Sequence, residues 1–279
     1  MLVAHFFDLI PIWALLIGTI LIMILFIEYG FRLGKSAQAN AKKAQTSQVR
    51  AIMGAGLGLL AFMLAFTFST AQTHFEARVQ NLAEEARIAR NAFMQAELMT
   101  EPRRSQAKLL LKDYVQLRND IRKVTGLGVK EQLAGLIQES EQIQAQLWSL
   151  AAQGHQLAKT KKTDAKESDL FMVSVLALTD IHFTRLHSAV MNRIPFTIWM
   201  TLYLMAALSM IIMGYQAGLT DRRSPVATIT LAVAFSAVII LITDLDRPIM
   251  SFFDINMQLL VDLEEYMEAD LRLEYYPGE

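Results

Sequence analysis

Histidines, paired carboxylates and glycine-rich phosphate loops are the first places to look for chemistry in this chain. His182 and His187 stand five residues apart. That spacing does not put both rings on one helix face, and it does not match the His-Glu-x-x-His pattern of a zinc site. Glu84 and Glu85 are adjacent, so on a helix they project in different directions and make no poised acid–base pair. There is no cysteine, which removes thiolate ligands, thiol nucleophiles and disulfides together. Gly54-Ala-Gly-Leu-Gly58 lies within an apolar run and not before a basic helix start, so it reads as a packing feature and not a phosphate cradle. The residues therefore predict no catalytic group, no metal and no cofactor.

The informative pattern lies in the same apolar run. One stripe, at spacings of three and four, reads Gly54, Gly58, Ala61, Ala65. Small side chains there let another helix approach closely. A second stripe reads Ala55, Leu59, Phe62, Phe66, Ser69, Thr73 and grades from large apolar groups to hydroxyls. Arranged around an axis in an oligomer, it would form a hydrophobic constriction with a polar mouth, of the kind that gates by dewetting; the alternative reading is that Phe62 and Phe66 simply meet lipid or another helix. Arg78 follows Thr73 by about one turn, where its charge would concentrate anions.

The element carrying these stripes must be a membrane helix. Four stretches lack Asp, Glu, Lys and Arg: Leu9–Ile27, Ala51–Thr73, Ile194–Leu219 and Ser224–Thr243, of 19, 23, 26 and 20 residues. About 20 apolar residues span the hydrocarbon core, and lipid obliges the backbone to be helical. Composition agrees: 53 % of the 279 residues are hydrophobic and 19 % charged, which excludes a disordered chain. A net charge of −1 gives no nucleic-acid footprint. No span holds a mid-membrane charge, which argues against pumps and ion-driven transporters more than against passive pores. The start, Met1 to Asp8, has no basic region, so the first span is expected to be retained and not a signal peptide.

Between the span pairs, residues 74–193 read as helices outside the membrane. Phe75, Val79, Leu82, Ala86, Ala89, Phe93 and Ala96 continue the second span as a coiled-coil-like seam, predicting one helix from Ala51 to Met99, roughly 75 Å long. Thr100 and Pro102 suit the start of the next helix, running to Lys123. Another is predicted over Val129–Gln153, with Leu133, Leu136, Ile137, Ile143, Leu147 and Leu150 inward and Gly154 ending it. His155–Lys166 is expected to be a loop, followed by a helix over Glu167–Arg193. The residues after the fourth span, 244–279, carry ten acidic and two basic side chains. There Leu259, Leu260, Leu263, Met267 and Leu271 predict an amphipathic helix against the helical domain and not a metal site. Asp244, Asp246, Arg247 and Pro248 are read as a turn at the membrane interface. Asp246 and Arg247 are expected to pair with charges such as Arg78, Glu76 and Glu85.

The short loops hold Arg32, Lys35, Lys42, Lys43 and Arg50, then Arg222 and Arg223. By the positive-inside rule they face the cytoplasm of a plasma (inner) membrane, with the helical domain and both termini outside. Flanking the other side are Arg78, Arg87, Arg90, Arg185, Arg193 and Arg247.

Several segments resemble one family. Phe66-Thr-Phe-Ser-Thr-Ala-Gln-Thr-His-Phe-Glu-Ala-Arg78, Asn192-Arg-Ile-Pro195 with Trp199, Gly214-Tyr-Gln-Ala-Gly-Leu219 and Asp244-Leu-Asp-Arg-Pro248 are similar to the bestrophin-like domain family of membrane proteins. Phe75-Glu-Ala-Arg78 is also similar to the bestrophin anion channels. The resemblance implies a homo-oligomer, pentameric by analogy, with second spans around a central anion pathway. The chain departs from bestrophins in lacking an Arg and Asn near Phe66–Phe68, and its basic loops place the middle domain outside, where bestrophins have it cytoplasmic.

The sequence thus predicts an all-α integral membrane protein with four transmembrane helices and a helical extramembrane domain inserted between spans two and three. Its expected partners are the lipid bilayer, copies of itself and inorganic anions, not nucleic acid. Its expected function is a passive ion channel; the alternative is a non-conducting sensor or scaffold whose helical domain binds a partner or ligand.

Overall fold

The computed structural model of the chain describes residues 10–40, 43–123, 129–161, 165–221, 224–247 and 258–275. Those residues form eight α-helices and one short 3-10 turn, with no strand among them. In chain order the helices are α1 (Ile12–Ala37), α2 (Lys43–Ala96), α3 (Arg103–Lys123), α4 (Val129–Lys161), α5 (Ala165–Met191), α6 (Phe196–Thr220), α7 (Pro225–Asp246) and α8 (Gln258–Tyr275). Four of them, α1, α2, α6 and α7, are long and apolar enough to cross a membrane.

Helix ends follow local chemistry. Pro11 and Pro195 precede α1 and α6, and Pro225 opens α7, where the missing N–H is no loss. α6 stops at Asp221, whose backbone is left-handed at φ 50° and whose N–H bonds to the Gly218 carbonyl. Other ends differ from the sequence expectation. α1 runs ten residues past Ile27, so Arg32 and Lys35 ride on the helix and not in a loop. The Glu28–Arg32 pair, 3.2 Å apart and one turn along, supports that extension. α4 continues through Gly154 to Lys161, overturning the expected loop from His155. A single glycine costs a helix about 1 kcal/mol, and tertiary contacts offset that. Gly154 is buried and His155 Nδ1 meets Asp169 Oδ1 on α5.

The chain divides into two compact units. The first comprises residues 3–76 and 192–253 and contains α1, α6, α7 and the first part of α2. Its core is formed by Met23, Ile27, Leu60, Leu64, Trp199, Leu202, Met210, Ile239 and Ile242, among others. Glycines set the spacing of α1 against α6. A Cβ on Gly30 would lie 2.9 Å from Ile211 Cα, and one on Gly34 3.0 Å from Tyr215 Cα. Reciprocally, a Cβ on Gly214 would lie 2.9 Å from Phe31 N, and one on Gly218 2.7 Å from Lys35 N. Two Gly-x-x-x-Gly faces thus interlock backbone to backbone, where any side chain would force the helices apart.

The second unit comprises residues 77–191 and 254–279. Its core joins Leu82, Ala86, Ala89 and Phe93 of α2 to Leu111, Tyr114 and Val115 of α3, Leu147 and Leu150 of α4, and Phe171, Val175 and Leu178 of α5. Leu260, Leu263, Met267 and Leu271 of α8 complete it. Leu259, included in the expected stripe, is 54 % exposed, because it precedes the inward register by one residue. Val79 of the expected seam is likewise exposed.

Candidate functional site

The two stripes of α2 reach the same fate: neither is used inside the chain. Leu59, Phe62 and Phe66 are 50 %, 66 % and 59 % exposed. Ser69 and Thr73, on the same face, are exposed too. The Thr73 hydroxyl donates to the Ser69 carbonyl at 2.9 Å, as the Thr70 hydroxyl does to Phe66 at 3.1 Å. Such back-bonding satisfies the hydroxyl hydrogens while leaving their oxygens on the helix surface. Thr67, on the opposite side, is buried and donates to Met63. The exposed face therefore carries three large apolar groups followed by two hydroxyls, in the predicted order.

The small-residue stripe is equally uncovered. A Cβ on Gly54 or Gly58 would meet nothing within 4 Å, and Ala61 and Ala65 are exposed. Ala61 and Ala65 border an open apolar groove of about 440 Å³, closed on its far side by Leu231, Ala234, Phe235, Val238 and Leu241 of α7. The close helix contact that small residues permit is realised elsewhere, at Gly30, Gly34, Gly214 and Gly218. The signal for them was present in the sequence, since both pairs have the same spacing of four.

Arg78, the expected mouth charge, is buried at 9 % exposure and belongs to the second unit. The expected interface turn is partly helix: Asp244 and Asp246 lie in the last turn of α7, with Arg247 as its C-cap. Pro248 lies outside the described residues. Asp244, Asp246 and Arg247 are all buried. Asp246 Oδ1 accepts the backbone N–H of Ile194 at 2.9 Å, and Arg247 Nη2 donates to the Ile10 carbonyl at 2.8 Å. These bonds fasten the end of α7 to the residues preceding α1 and α6. Glu76 accepts from Gln72 at 2.8 Å, one turn earlier on its own helix.

Glu85, named as a possible partner of that turn, instead sits at the centre of the second unit with 0 % exposure. Tyr114 Oη donates to its Oε1 at 2.6 Å, and Arg118 Nε lies 3.1 Å from the same oxygen. Arg185 Nη1 pairs with its Oε2. No local spacing announced this cluster, because its members come from α2, α3 and α5. Glu84 points outward to Arg87, which holds its carboxyl below the usual range, so the two neighbouring glutamates do diverge. Among the described residues no group of three or more metal-ligating side chains comes together.

Comparison with known proteins places this geometry. No curated protein gives a significant match. Solved structures do: a crystal structure described as a membrane protein, a point variant, aligns at a TM-score of 0.63 with 15 % identity over 93 % of this chain and 98 % of that one. A bacterial Bestrophin homolog from Klebsiella pneumoniae, a Leu-to-Thr variant, aligns at a TM-score of 0.62 with 14 % identity, covering 92 % of this chain and 98 % of the other. At such identities the likeness is one of fold. The Bestrophin-like domain model matches residues 32–256. With four apolar helices and a match over most of its length, the chain is a membrane protein of the Bestrophin-like family.

Proposed function

We propose that the chain is the subunit of a homo-oligomeric passive ion channel, selective for anions, whose α2 helices surround the pathway. The observation that carries this reading is the unpartnered face of α2. Leu59, Phe62 and Phe66 project from it in sequence, and Ser69 and Thr73 follow on the same side. The change from bulky apolar groups to hydroxyls along one exposed face fits a dry constriction that opens into a polar mouth. The absence of charge from Ala51 to Thr73 suits a pathway crossed by dewetting control and not a proton relay. The groove beside Ala61 and Ala65, with Gly54 and Gly58 in line, offers a neighbouring subunit a close approach. The similarity to a bacterial Bestrophin homolog supports the arrangement. A pentamer follows by analogy, with the helical unit inserted between spans two and three.

The test is ion flux through purified protein in vesicles and planar bilayers. Wild-type protein conducts, and Phe62→Ala and Phe66→Ala each raise the open current, because every subunit loses a bulky ring from the narrowest part. If wild type and both alanine variants carry no current, the pore reading fails. The chain is then a sensor or scaffold, a role for which the second unit, with its own core of α2–α5 and α8 residues, is equipped.

A further inference from the structure

The second unit contains a buried polar layer that conduction does not require. Glu85 on α2 is bracketed by Tyr114 and Arg118, one turn apart on α3, and by Arg185 on α5. Side-chain bonds from Asn81 to Ser188 and from Ser174 to Gln95 fix α2 and α5 as antiparallel neighbours on either side of that level. His182 stands one turn from Arg185 on α5. It is 5 % exposed, and its Nε2 has no hydrogen-bond partner. From α4 come Ser140 and Gln144, also one turn apart and buried, with Gln144 against the Tyr114 hydroxyl.

The charges in this layer do not balance. Two guanidiniums face one carboxylate. Lys108, another buried cation of the unit, is treated differently: it meets both Glu97 and Asp270. Among the described residues, the ionisable groups of this layer are Glu85 from α2, Tyr114 and Arg118 from α3, and His182 and Arg185 from α5, with Arg118 acting on His182, while α4 contributes the uncharged Ser140 and Gln144. Asp120 on α3 is half-buried, and Asp180, Glu139, Glu141 and His187 are exposed to solvent. A proton on His182 would therefore enter a layer that already holds more positive than negative charge, with no carboxylate of its own to meet.

We propose that this layer is an acid-sensitive switch, in which protonation of His182 loosens α5 from α2 and α3 within the helical unit. Burial, and then the Arg118 charge, push the His182 imidazole down to about 4 from the ordinary 6.5. The folded unit thus prefers the neutral ring. Its contribution is complete above pH 6.5 and is lost as pH falls from there toward 4, because the opened state takes up the proton first.

Hydrogen exchange on the full-length protein in detergent tests this. The opening equilibrium of amides in Leu178–Ser188, corrected for intrinsic exchange, is compared at pH 7.5 and pH 5. Linkage gives about a 25-fold rise in opening for wild type. His182→Gln, which stays uncharged, abolishes that rise, and His187→Gln, an exposed control, retains it. A wild type without the acid response, or a His182→Gln variant that keeps it, overturns the proposal. A second measurement does not depend on the variant folding: the carbon-13 imidazole resonance of His182 in wild type stays neutral down to pH 5. A ring that titrates near 6.5 in the folded protein overturns the switch just as directly.

Discussion

Replacing Gly30 by alanine adds one methyl group at the tightest point between α1 and α6. The new Cβ lies against the Ile211 backbone, 2.9 Å from its Cα and closer still to its carbonyl carbon and oxygen. Ordinary contact requires about 3.5–4.0 Å between carbons. The obstructing atoms are main chain of a long helix, so no side-chain rotation relieves the clash, and α1 must move outward by the order of 1 Å. That displacement reaches the neighbouring contact of Gly34 with Tyr215, and the reciprocal ones of Gly214 and Gly218. Overpacking of this kind costs about 1–3 kcal/mol, and the rigid obstruction puts Gly30→Ala at the upper end. The helix itself gains about 1 kcal/mol from alanine over glycine, which offsets only part. A net loss of about 2 kcal/mol corresponds to a fall of roughly 4–8 °C in melting temperature for a chain of this size. Gly30→Ala combined with Gly34→Ala costs less than the sum, since one outward shift relieves both. Gly54→Ala is the control, because its Cβ meets nothing within 4 Å inside the chain. The assay is thermal unfolding of detergent-purified protein, followed by size-exclusion elution so that assembly and fold are read together. A Gly30→Ala variant melting within a degree of wild type would refute the interlocked packing. If Gly54→Ala lowers stability while also dissociating the assembly, its face is a subunit contact and not a lipid contact.

Two further outcomes follow from the membrane unit. Asp246→Ala removes the acceptor of the buried Ile194 N–H, and an unsatisfied buried donor costs about 1–3 kcal/mol. Asp246→Asn retains an oxygen at that position and loses less, so equal melting temperatures for the two variants contradict the bond's role. Cysteine at Gln153, an exposed position on α4, should react with a membrane-impermeant thiol reagent added outside intact cells. Labelling only after permeabilisation places the helical unit in the cytoplasm and reverses the orientation inferred from the basic loops.

The chain's secondary structure was largely legible because its causes are local. Four charge-free stretches can only be helices in lipid, and their limits at Pro195 and Pro225 are written in residue type. The run of α2 beyond Thr73 followed from the recurrence of Leu82, Ala86, Ala89 and Phe93, which are now buried together. The family was readable too, from segments distributed over both span pairs, and the domain model confirms it over residues 32–256. Helix ends set by tertiary contact were not readable: α4 passes through Gly154 because that glycine is buried and the following turn meets α5.

Which small stripe meets a helix, and which meets something outside the chain, was decided only in three dimensions. Gly54 and Gly58 have the same spacing as Gly30 and Gly34, yet the first pair faces open space and the second touches the backbone of α6. Sequence spacing states that a face can be approached; it does not state by what. The same holds for charge. Glu85 has no oppositely charged neighbour one turn away on its own face, and its partners Arg118 and Arg185 lie far along the chain on separate helices. Local periodicity fixes which residues share a face, through the 3.6-residue repeat, but the pairing of faces depends on how separate helices are packed, and that is a property of the folded chain alone.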